Sequence, residues 1–203
     1  MAALLRRASF KAAKAVEGRF RRPLLQGVFA VAATAAVAVP APVLADTFLR
    51  LGDIKGESTD SKHKDQIDIL SFTQSWTNSI ELGSGGGAGV GKVQCGAITM
   101  MKNIDKSSPL LLKGVATGEN FEDAVISFQS SGGRTQSEYY NIVMHNVFVT
   151  ELTQTDSPDP NRIFEKLVLN AQSFEFKYTP TDSKGKIGQP VSFKWDCGAN
   201  QGV

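Results

Sequence analysis

The sequence has 203 residues, a formal net charge of +2, 41% hydrophobic side chains, two cysteines and two histidines. This length allows one domain with an appendage. Seven of the 22 basic residues and one of the 20 acidic residues lie in residues 1–45, so residues 46–203 carry a net charge of −4. The composition therefore argues against a folded part that binds nucleic acid.

The amino-terminal segment, residues 1–45, has the order of parts found in a secretory leader. Its basic residues precede an apolar, alanine-rich run at 24–38, and small residues follow at Val43 and Ala45. This order predicts a signal peptide cleaved after Ala45, and Arg21-Arg22 resembles the pair of a twin-arginine signal. The apolar run is too weak for a stable membrane span. A start codon assigned too far upstream, or a disordered basic tail, would leave the same pattern.

Residues 46–76 predict a short apolar strand, a long polar loop and a second strand. A loop of this length with little to bury is usually functional or disordered, and we expect an arm that reaches another copy of the chain. The loop carries both signs of charge, which suits contacts that set register between subunits. The same mixture would also keep a loop soluble. The candidate residues for this contact are Lys55, Glu57, Asp60, Lys62, Lys64 and Asp65.

A glycine-rich stretch at 83–92 contains a partial phosphate-loop pattern. Residues 86–92 match G-x-x-x-x-G-K, but Val93 stands where a hydroxyl would bind magnesium. The residues that follow alternate as in a strand, whereas a phosphate loop opens a helix. The glycines are therefore interpreted as the connection of a hairpin.

One helix is predicted over residues 108–117. Ser108 is expected to cap it, Pro109 to occupy its first position and Gly118 to end it. The expected apolar stripe consists of Leu111, Leu112, Val115 and Ala116.

From residue 121 onward the pattern predicts strand after strand. Residues 139–152 are apolar on both faces, so they must form core or contact a neighbouring subunit. The candidates for that role are Tyr140, Ile142, Val147 and Val149. Residues 163–178 change phase, which predicts a bulge near 170–173. The predicted fold for 46–203 is mainly β, an antiparallel barrel with one short lateral α-helix and no second domain.

The cysteines and histidines do not form a recognisable reactive site. Cys95 and Cys197 are too few for a disulfide framework and are expected to be buried thiols, although they would be able to pair if the chain is exported. His63 is expected to be solvated, and His145 to be a hydrogen-bonded structural residue. The spacings fit neither a zinc site nor a nucleophile elbow. No catalytic residue, metal or cofactor is predicted.

Two sequence motifs, one following the other along the chain, resemble those of a known family. Residues 48–58, FLRLGDIKGES, followed by 67–72, IDILSF, resemble the opening of the haemolysin-coregulated protein (Hcp) family, which forms the inner tube of bacterial type VI secretion systems. The resemblance covers most of 46–203, including the glycine-rich turn at 83–91, the helix and the segment 172–176. It implies homohexameric rings that stack head to tail, and a lumen that carries effectors. In such a stack the charged residues between 55 and 65 are the candidate ring-stacking residues. It also implies spike and sheath proteins as partners.

The leader departs from this family, whose members typically assemble in the cytoplasm and carry no signal peptide. If the leader is processed, the chain is secreted or periplasmic. If the start is misassigned, cytoplasmic assembly precedes secretion. The alternative function is a stand-alone exported barrel that acts as an adhesin-like or ligand-binding module.

Overall fold

The computed structural model describes residues 45–82, 88–130, 137–156, 163–182 and 186–202. The predicted leader, apart from Ala45, lies outside the described residues. In chain order the elements are β1 Ala45–Leu51, β2 Ile67–Ile69, β3 Ser71–Thr73, β4 Trp76–Leu82, β5 Ala88–Cys95, β6 Ile98–Asn103, α1 Ser108–Thr117, β7 Asn120–Ser130, β8 Ser137–Asp156, β9 Ile163–Tyr178, β10 Val191–Asp196 and β11 Gln201–Gly202.

The large sheet closes on itself through the short segment that holds β2 and β3. Strand β1 pairs with β7, β7 with β8, β8 with β9 and β9 with β6, all antiparallel. Strand β2 pairs with β1, whereas β3, one residue further along, pairs with β6. The residue between them, Leu70, donates its amide to the carbonyl of Met101 at 2.7 Å. The predicted antiparallel barrel with one lateral helix is confirmed.

The interior of this barrel is filled by side chains. Alternate residues of its strands point inward, as the two-residue period of a strand requires. Fully enclosed residues from four of its strands are Leu49, Leu51, Ile98, Met100, Ile142, Met144, Leu167 and Leu169. The barrel is therefore a packed core.

The apolar pattern on both faces of β8 arises because the strand changes face. It buries Ile142 and Met144 and then Val147 and Val149, and Asn146 between the two pairs has φ 51°. Strands β7 and β9 change face at the same level, between Phe121 and Ala124 and between Ala171 and Phe174. The pairs on both sides keep one register. We call this level, at Glu122, Asn146 and Gln172, the face-change row.

The bulge predicted near 170–173 is wrong in its position. The register between β8 and β9 is continuous past Ala171 and Ser173, and it shifts only between Val149 and Glu151. At the face-change row the Asn146 side-chain amide donates to Gln172 Oε1 at 2.8 Å. The phase change in the sequence is thus met by neighbouring strands turning together, without an inserted residue.

Because the backbone of Asn146 is left-handed, we predict that glycine at this position gives a more stable protein than alanine. Asn146→Gly and Asn146→Ala both remove the amide that donates to Gln172. We expect the glycine variant to be more stable than the alanine variant by about 1 kcal/mol, because only a Cβ is penalised at this φ. Urea unfolding measures the difference. His145, the exposed neighbour, is the matched control, and there alanine should be better than glycine. An alanine variant at 146 as stable as the glycine variant would contradict the role assigned to this backbone.

The lateral helix α1 begins one residue earlier than its predicted cap implies. Ser107 is the N-cap residue and Ser108 is already helical, so the predicted cap at Ser108 is wrong. Pro109 is consequently the second helical residue and not the first, and Gly118 ends the helix with φ 63° as predicted. Of the expected stripe, Leu111 is buried and Val115 is half-buried, but Leu112 and Ala116 are exposed. The buried side runs instead through Ser108, Leu111 and Gly114, the spacing of one helix face.

A buried ion pair joins the start of α1 to the barrel. Lys102 of β6 and Glu165 of β9 have no exposed surface, and Nζ lies 2.7 Å from Oε2. Ser108 Oγ donates to the same carboxylate oxygen at 2.6 Å, and Gln154 Nε2 donates to the other at 2.9 Å. Burial opposes the charge, but the hydrogen bonds from Lys102, Ser108 and Gln154 outweigh it and lower the pKa of Glu165. Removal of either partner would leave a buried charge without its counter-charge and would destabilise the fold.

Glu165→Gln should destabilise the fold by about 3 kcal/mol, because the buried Lys102 ammonium loses one of its two carboxylate partners and retains only that of Asp105. Urea unfolding at neutral pH checks this value. Glu175→Gln is the matched control, because its partner Lys194 is half exposed and such a pair contributes about 1 kcal/mol or less. Equal losses in the two variants would show that the buried pair has no special weight.

Candidate subunit-contact surfaces

The loop between β1 and β2, residues 52–66, is the predicted ring-stacking segment, and we call it the charged loop. Its two halves bind each other: the amide of Gly56 donates to the carbonyl of Asp65 at 2.8 Å, and the amide of Ser58 donates to that of Gln66 at 3.0 Å. A Cβ on Gly56 would lie 2.3 Å from the carbonyl oxygen of Gln66, so only glycine fits there. The charged loop is therefore a folded surface element whose two halves hold each other.

His63 lies inside the charged loop, and the expectation that it is solvated is wrong. Its side chain is 3% exposed and stacks on Phe48 of β1, with ring centroids 4.3 Å apart. Nδ1 lies 3.3 Å from Gln66 Oε1, and Nε2 lies 3.5 Å from Glu138 Oε1. The loop folds back over β1, so a residue from a polar run becomes an apolar contact. His145, by contrast, is exposed on β8.

Among the predicted contact residues, Asp60 is engaged within its own subunit. Its Oδ1 accepts the amides of Lys62 at 2.8 Å and His63 at 3.0 Å, and its Oδ2 accepts Gln129 Nε2 at 3.3 Å. Desolvation raises the pKa of Asp60, but the backbone amides and Gln129 more than offset it, so the pKa lies below its ordinary value. Asp60 holds the turn of the charged loop.

The remaining charges of the loop divide by sign. Glu57 accepts the amide of Lys106 at 3.2 Å, and Asp65 lies 3.4 Å from the Lys106 ammonium. The lysines of the loop, Lys55, Lys62 and Lys64, are exposed. Two of its acids are thus drawn toward the start of α1 while its lysines face solvent. Sequence reasoning missed Lys106, because only the folded chain brings residue 106 beside residues 57 and 65.

The second set of predicted residues lies on β8. Ile142, Val147 and Val149 are buried in the barrel and are 1%, 0% and 4% exposed. Tyr140 is half-buried, and its ring lies 5.5 Å from that of Phe128; burial raises the pKa of its hydroxyl. Of the two roles left open for this strand, these positions therefore supply core.

An apolar surface that the sequence did not single out lies on β9 and β10. Val191, Phe193 and Tyr178 are 68%, 52% and 48% exposed, on the face that also carries Phe176. The groove beside them has a volume of about 450 Å³ and is lined by Phe72, Gln74, Trp76, Tyr140, Ile142, Phe176 and Phe193. We call this surface the aromatic face.

The outer edge of β10 borders the aromatic face. Within the described residues, β11 covers that edge only at Trp195 and Asp196. An exposed sheet edge beside exposed apolar residues is a ready surface for pairing with another chain. The alternation of Val191, Phe193 and Trp195 in the sequence signals a half-buried strand but does not reveal that its apolar side remains open.

The two cysteines form a disulfide, Cys95 to Cys197, with Cα atoms 6.1 Å apart. The expectation of two separate buried thiols is wrong, and both residues are half-buried. Sequence spacing carried no signal for the pairing, because the bridged residues are 102 positions apart. The bond links the end of β5 to the turn after β10.

The described part of the chain contains no cluster of three or more histidine, cysteine or acidic residues arranged to hold a metal ion. None of its helices has the length and apolar character needed to cross a membrane. The partial phosphate-loop motif runs into β5, Ala88–Cys95, so its lysine lies on a strand and not at the start of a helix.

The sequence and the fold match proteins of type VI secretion. The family model described as "Type VI secretion system effector, Hcp" matches residues 48–179. The chain is 33% identical over 156 residues to protein Hcp1 of Pseudomonas aeruginosa strain PAO1, covering 76% of this chain and 96% of that protein.

Solved structures agree in fold. One described as a type six secretion system protein has a TM-score of 0.74 at 24% identity and covers 79% of this chain and all of its own. Hcp1 from Salmonella typhimurium has a TM-score of 0.65 at 24% identity, covering 78% of this chain and 99% of its own. The chain belongs to the Hcp family of type VI secretion proteins. This family consists of secreted tube proteins and is not a family of enzymes.

The bonds of Asp60 predict a loss of stability of about 1 kcal/mol for Asp60→Ala, because two backbone amides lose their acceptor. The folded pKa of Asp60 lies below the unfolded one, so its charge stabilises the fold above the unfolded pKa. The difference between wild type and variant should therefore be constant above about pH 5 and shrink as the pH falls through the folded pKa. Urea unfolding at several pH values measures it. Lys64→Ala, an exposed change in the same loop, is the control and should have little effect at any pH. A difference that grows on acidification would contradict the role given to Asp60.

Proposed function

We propose that this chain is a tube subunit, six copies of which form a ring, and that the rings stack head to tail around a lumen that carries effector proteins. The observation that carries the proposal is the packed barrel. Inward-facing residues such as Leu49, Met100 and Leu167 have no exposed surface, so the barrel offers no interior space for a ligand. Cargo must therefore meet the outside of the subunit, and a lumen requires several subunits.

The aromatic face is our candidate for the contact between neighbours within a ring. Val191 and Phe193 present apolar area that a lone subunit leaves in water, and each buried side chain of this kind contributes about 1.5–3 kcal/mol. The open edge of β10 would add backbone hydrogen bonds to the neighbouring sheet. A contact between two different patches closes into a ring when the rotation between subunits is right.

The charged loop is our candidate for the contact between rings. Its exposed lysines face outward on a chain whose residues 46–203 carry a net charge of −4. The three exposed lysines of this mixed-charge loop, meeting an acidic surface of the next ring, would set rotation and register between the rings. Effectors would be held in the lumen, and spike and sheath proteins would meet the ends and outside of the tube.

A second candidate is a stand-alone exported barrel that binds a peptide or glycan. The disulfide between Cys95 and Cys197 favours it, since such bonds persist in oxidising compartments. In this role the aromatic groove would bind the ligand and the chain would be a monomer.

Size-exclusion chromatography with light scattering tests the first proposal. We expect wild type at six times the monomer mass, and Phe193→Asp as a monomer because the charge cannot be buried in the contact. Leu112→Asp is the matched control: its side chain is 52% exposed, as is that of Phe193, but it lies on α1 and should leave the ring intact.

Electron microscopy of concentrated protein tests stacking. Replacing Lys55, Lys62 and Lys64 together by Glu should leave single rings and abolish stacks, and added salt should weaken wild-type stacks. A monomeric wild type that binds a glycan or peptide array would overturn the tube proposal in favour of the second candidate. Rings that survive Phe193→Asp would place the lateral contact elsewhere.

A further inference from the structure

Hairpin β4–β5 forms a sheet of its own. Its strands pair from Trp76 with Cys95 to Leu82 with Ala88, and within the described residues no strand of the large sheet pairs with either. A two-stranded hairpin is marginally stable in water by itself. Contacts at its base must therefore determine how it is held.

At that base the amide of Gly96 donates to the carbonyl of Ser75 at 2.8 Å, which continues the pairing of the two strands. Three further contacts reach other parts of the fold, and two of them come from the carboxyl-terminal turn, residues 197–200. The ring of Trp76 packs against those of Phe174 and Phe176, each at 5.5 Å. The amide of Val93 donates to Asn200 Oδ1 at 2.9 Å. The disulfide joins Cys95 to Cys197. The carboxyl-terminal turn thus gives β5 a covalent cross-link and a hydrogen bond in addition to its pairing with β4.

The turn is secured to the barrel independently of the disulfide. The amide of Cys197 donates to the carbonyl of Gln172 at 2.9 Å, and that of Ala199 donates to Asp196 Oδ1 at 2.8 Å. The barrel itself closes through Leu70 and Met101, away from either cysteine in the chain. Opening the disulfide therefore leaves the ladders of the barrel complete.

We propose that the Cys95–Cys197 bond is a redox-controlled clasp on hairpin β4–β5. Closed, it holds the base of the hairpin against the carboxyl-terminal turn; open, it releases the hairpin while the barrel stays folded. Both cysteines keep part of their surface exposed, which exchange with a reagent requires. The exchange partner is a dithiol, either small or on a protein.

Opening the clasp is an ordinary thiol–disulfide exchange. A thiolate of the dithiol attacks one sulfur, the Cys95–Cys197 bond breaks and a mixed disulfide forms. The second thiol of the same reagent then attacks the mixed disulfide and releases the second cysteine. The reagent departs as a disulfide, oxidised by two electrons, and each cysteine takes up one proton. A disulfide reagent runs the same steps in reverse and closes the clasp.

The state of the clasp follows the compartment. Cytoplasmic dithiols would keep it open, whereas an oxidising compartment would keep it closed. If the leader directs export before assembly, the hairpin is fixed before subunits meet. If the chain assembles in the cytoplasm, it meets its neighbours with the hairpin released.

Hydrogen exchange read by mass spectrometry tests the clasp on the intact protein, in air-oxidised buffer and with dithiothreitol. Reduction should speed amide exchange in 88–95 and 197–202 by about tenfold, with Val93 among the amides affected, and leave β7 and β8 unchanged. The Cys95→Ser/Cys197→Ser double variant should match the reduced wild type without reductant and should not respond to it. Asn200→Ala, which removes only the hydrogen bond to Val93, is the matched control and should loosen β5 less.

Each remaining outcome would overturn the clasp. Unchanged exchange in 88–95 after reduction would show that the bond does not hold the hairpin. Faster amide exchange in β7 and β8 after reduction would show that the bond stabilises the whole fold and not the hairpin alone. Two free thiols in air-oxidised protein, or a bond that resists dithiothreitol in the folded state, would show that it is not under redox control. Reduced wild type gives the answer even if the double variant does not fold, and the readout does not depend on ring assembly.

Discussion

The face-change row determines which side of each central strand meets the core. At Glu122, Asn146 and Gln172 three neighbouring strands exchange their inner and outer sides together, so the ladder keeps its register while the buried parity changes. On one side of this row β9 pairs with β6, and on the other side it pairs with β10. A single pair of long strands can thereby close a barrel and also support an outlying strand. The left-handed backbone of Asn146 makes the change possible at its centre.

Two anchors then position what lies outside the barrel. The buried Lys102–Glu165 pair receives the hydroxyl of Ser108, so the start of α1 is tied to β6 and β9 by charge-assisted hydrogen bonds. The Cys95–Cys197 bond ties hairpin β4–β5 to the carboxyl-terminal turn. The first anchor is fully enclosed. The second is half-buried and is open to exchange, which is why we assign it the regulatory role.

The function proposed for the chain follows from where its apolar area is enclosed and where it is not. The barrel is filled, so it cannot act as a container by itself. Phe193 and Val191 on the outside remain in water, and the lysines of the charged loop are exposed. For this reason we propose that the chain acts through contact with copies of itself. These features agree with membership of the Hcp family, whose proteins belong to type VI secretion.

The strands, the helix and the family could be predicted from the sequence alone. Alternating apolar residues and turn residues report the local period of the chain, and the segments at 48–58 and 67–72 are distinctive without any knowledge of contacts. The sequence also contained a sign of the buried ion pair, because Lys102 and Glu165 share the parity of the core residues Met100 and Leu167. It did not show that the two charges meet.

The contacts between residues far apart in the sequence could be identified only from the folded chain. His63 is buried because its loop folds over Phe48, and Cys95 meets Cys197 across 102 positions. The phase change that resembled a bulge in one strand is shared by three strands. Each of these depends on which distant segments lie side by side. A periodic pattern cannot supply that information, because it records only how a residue relates to its near neighbours along the chain.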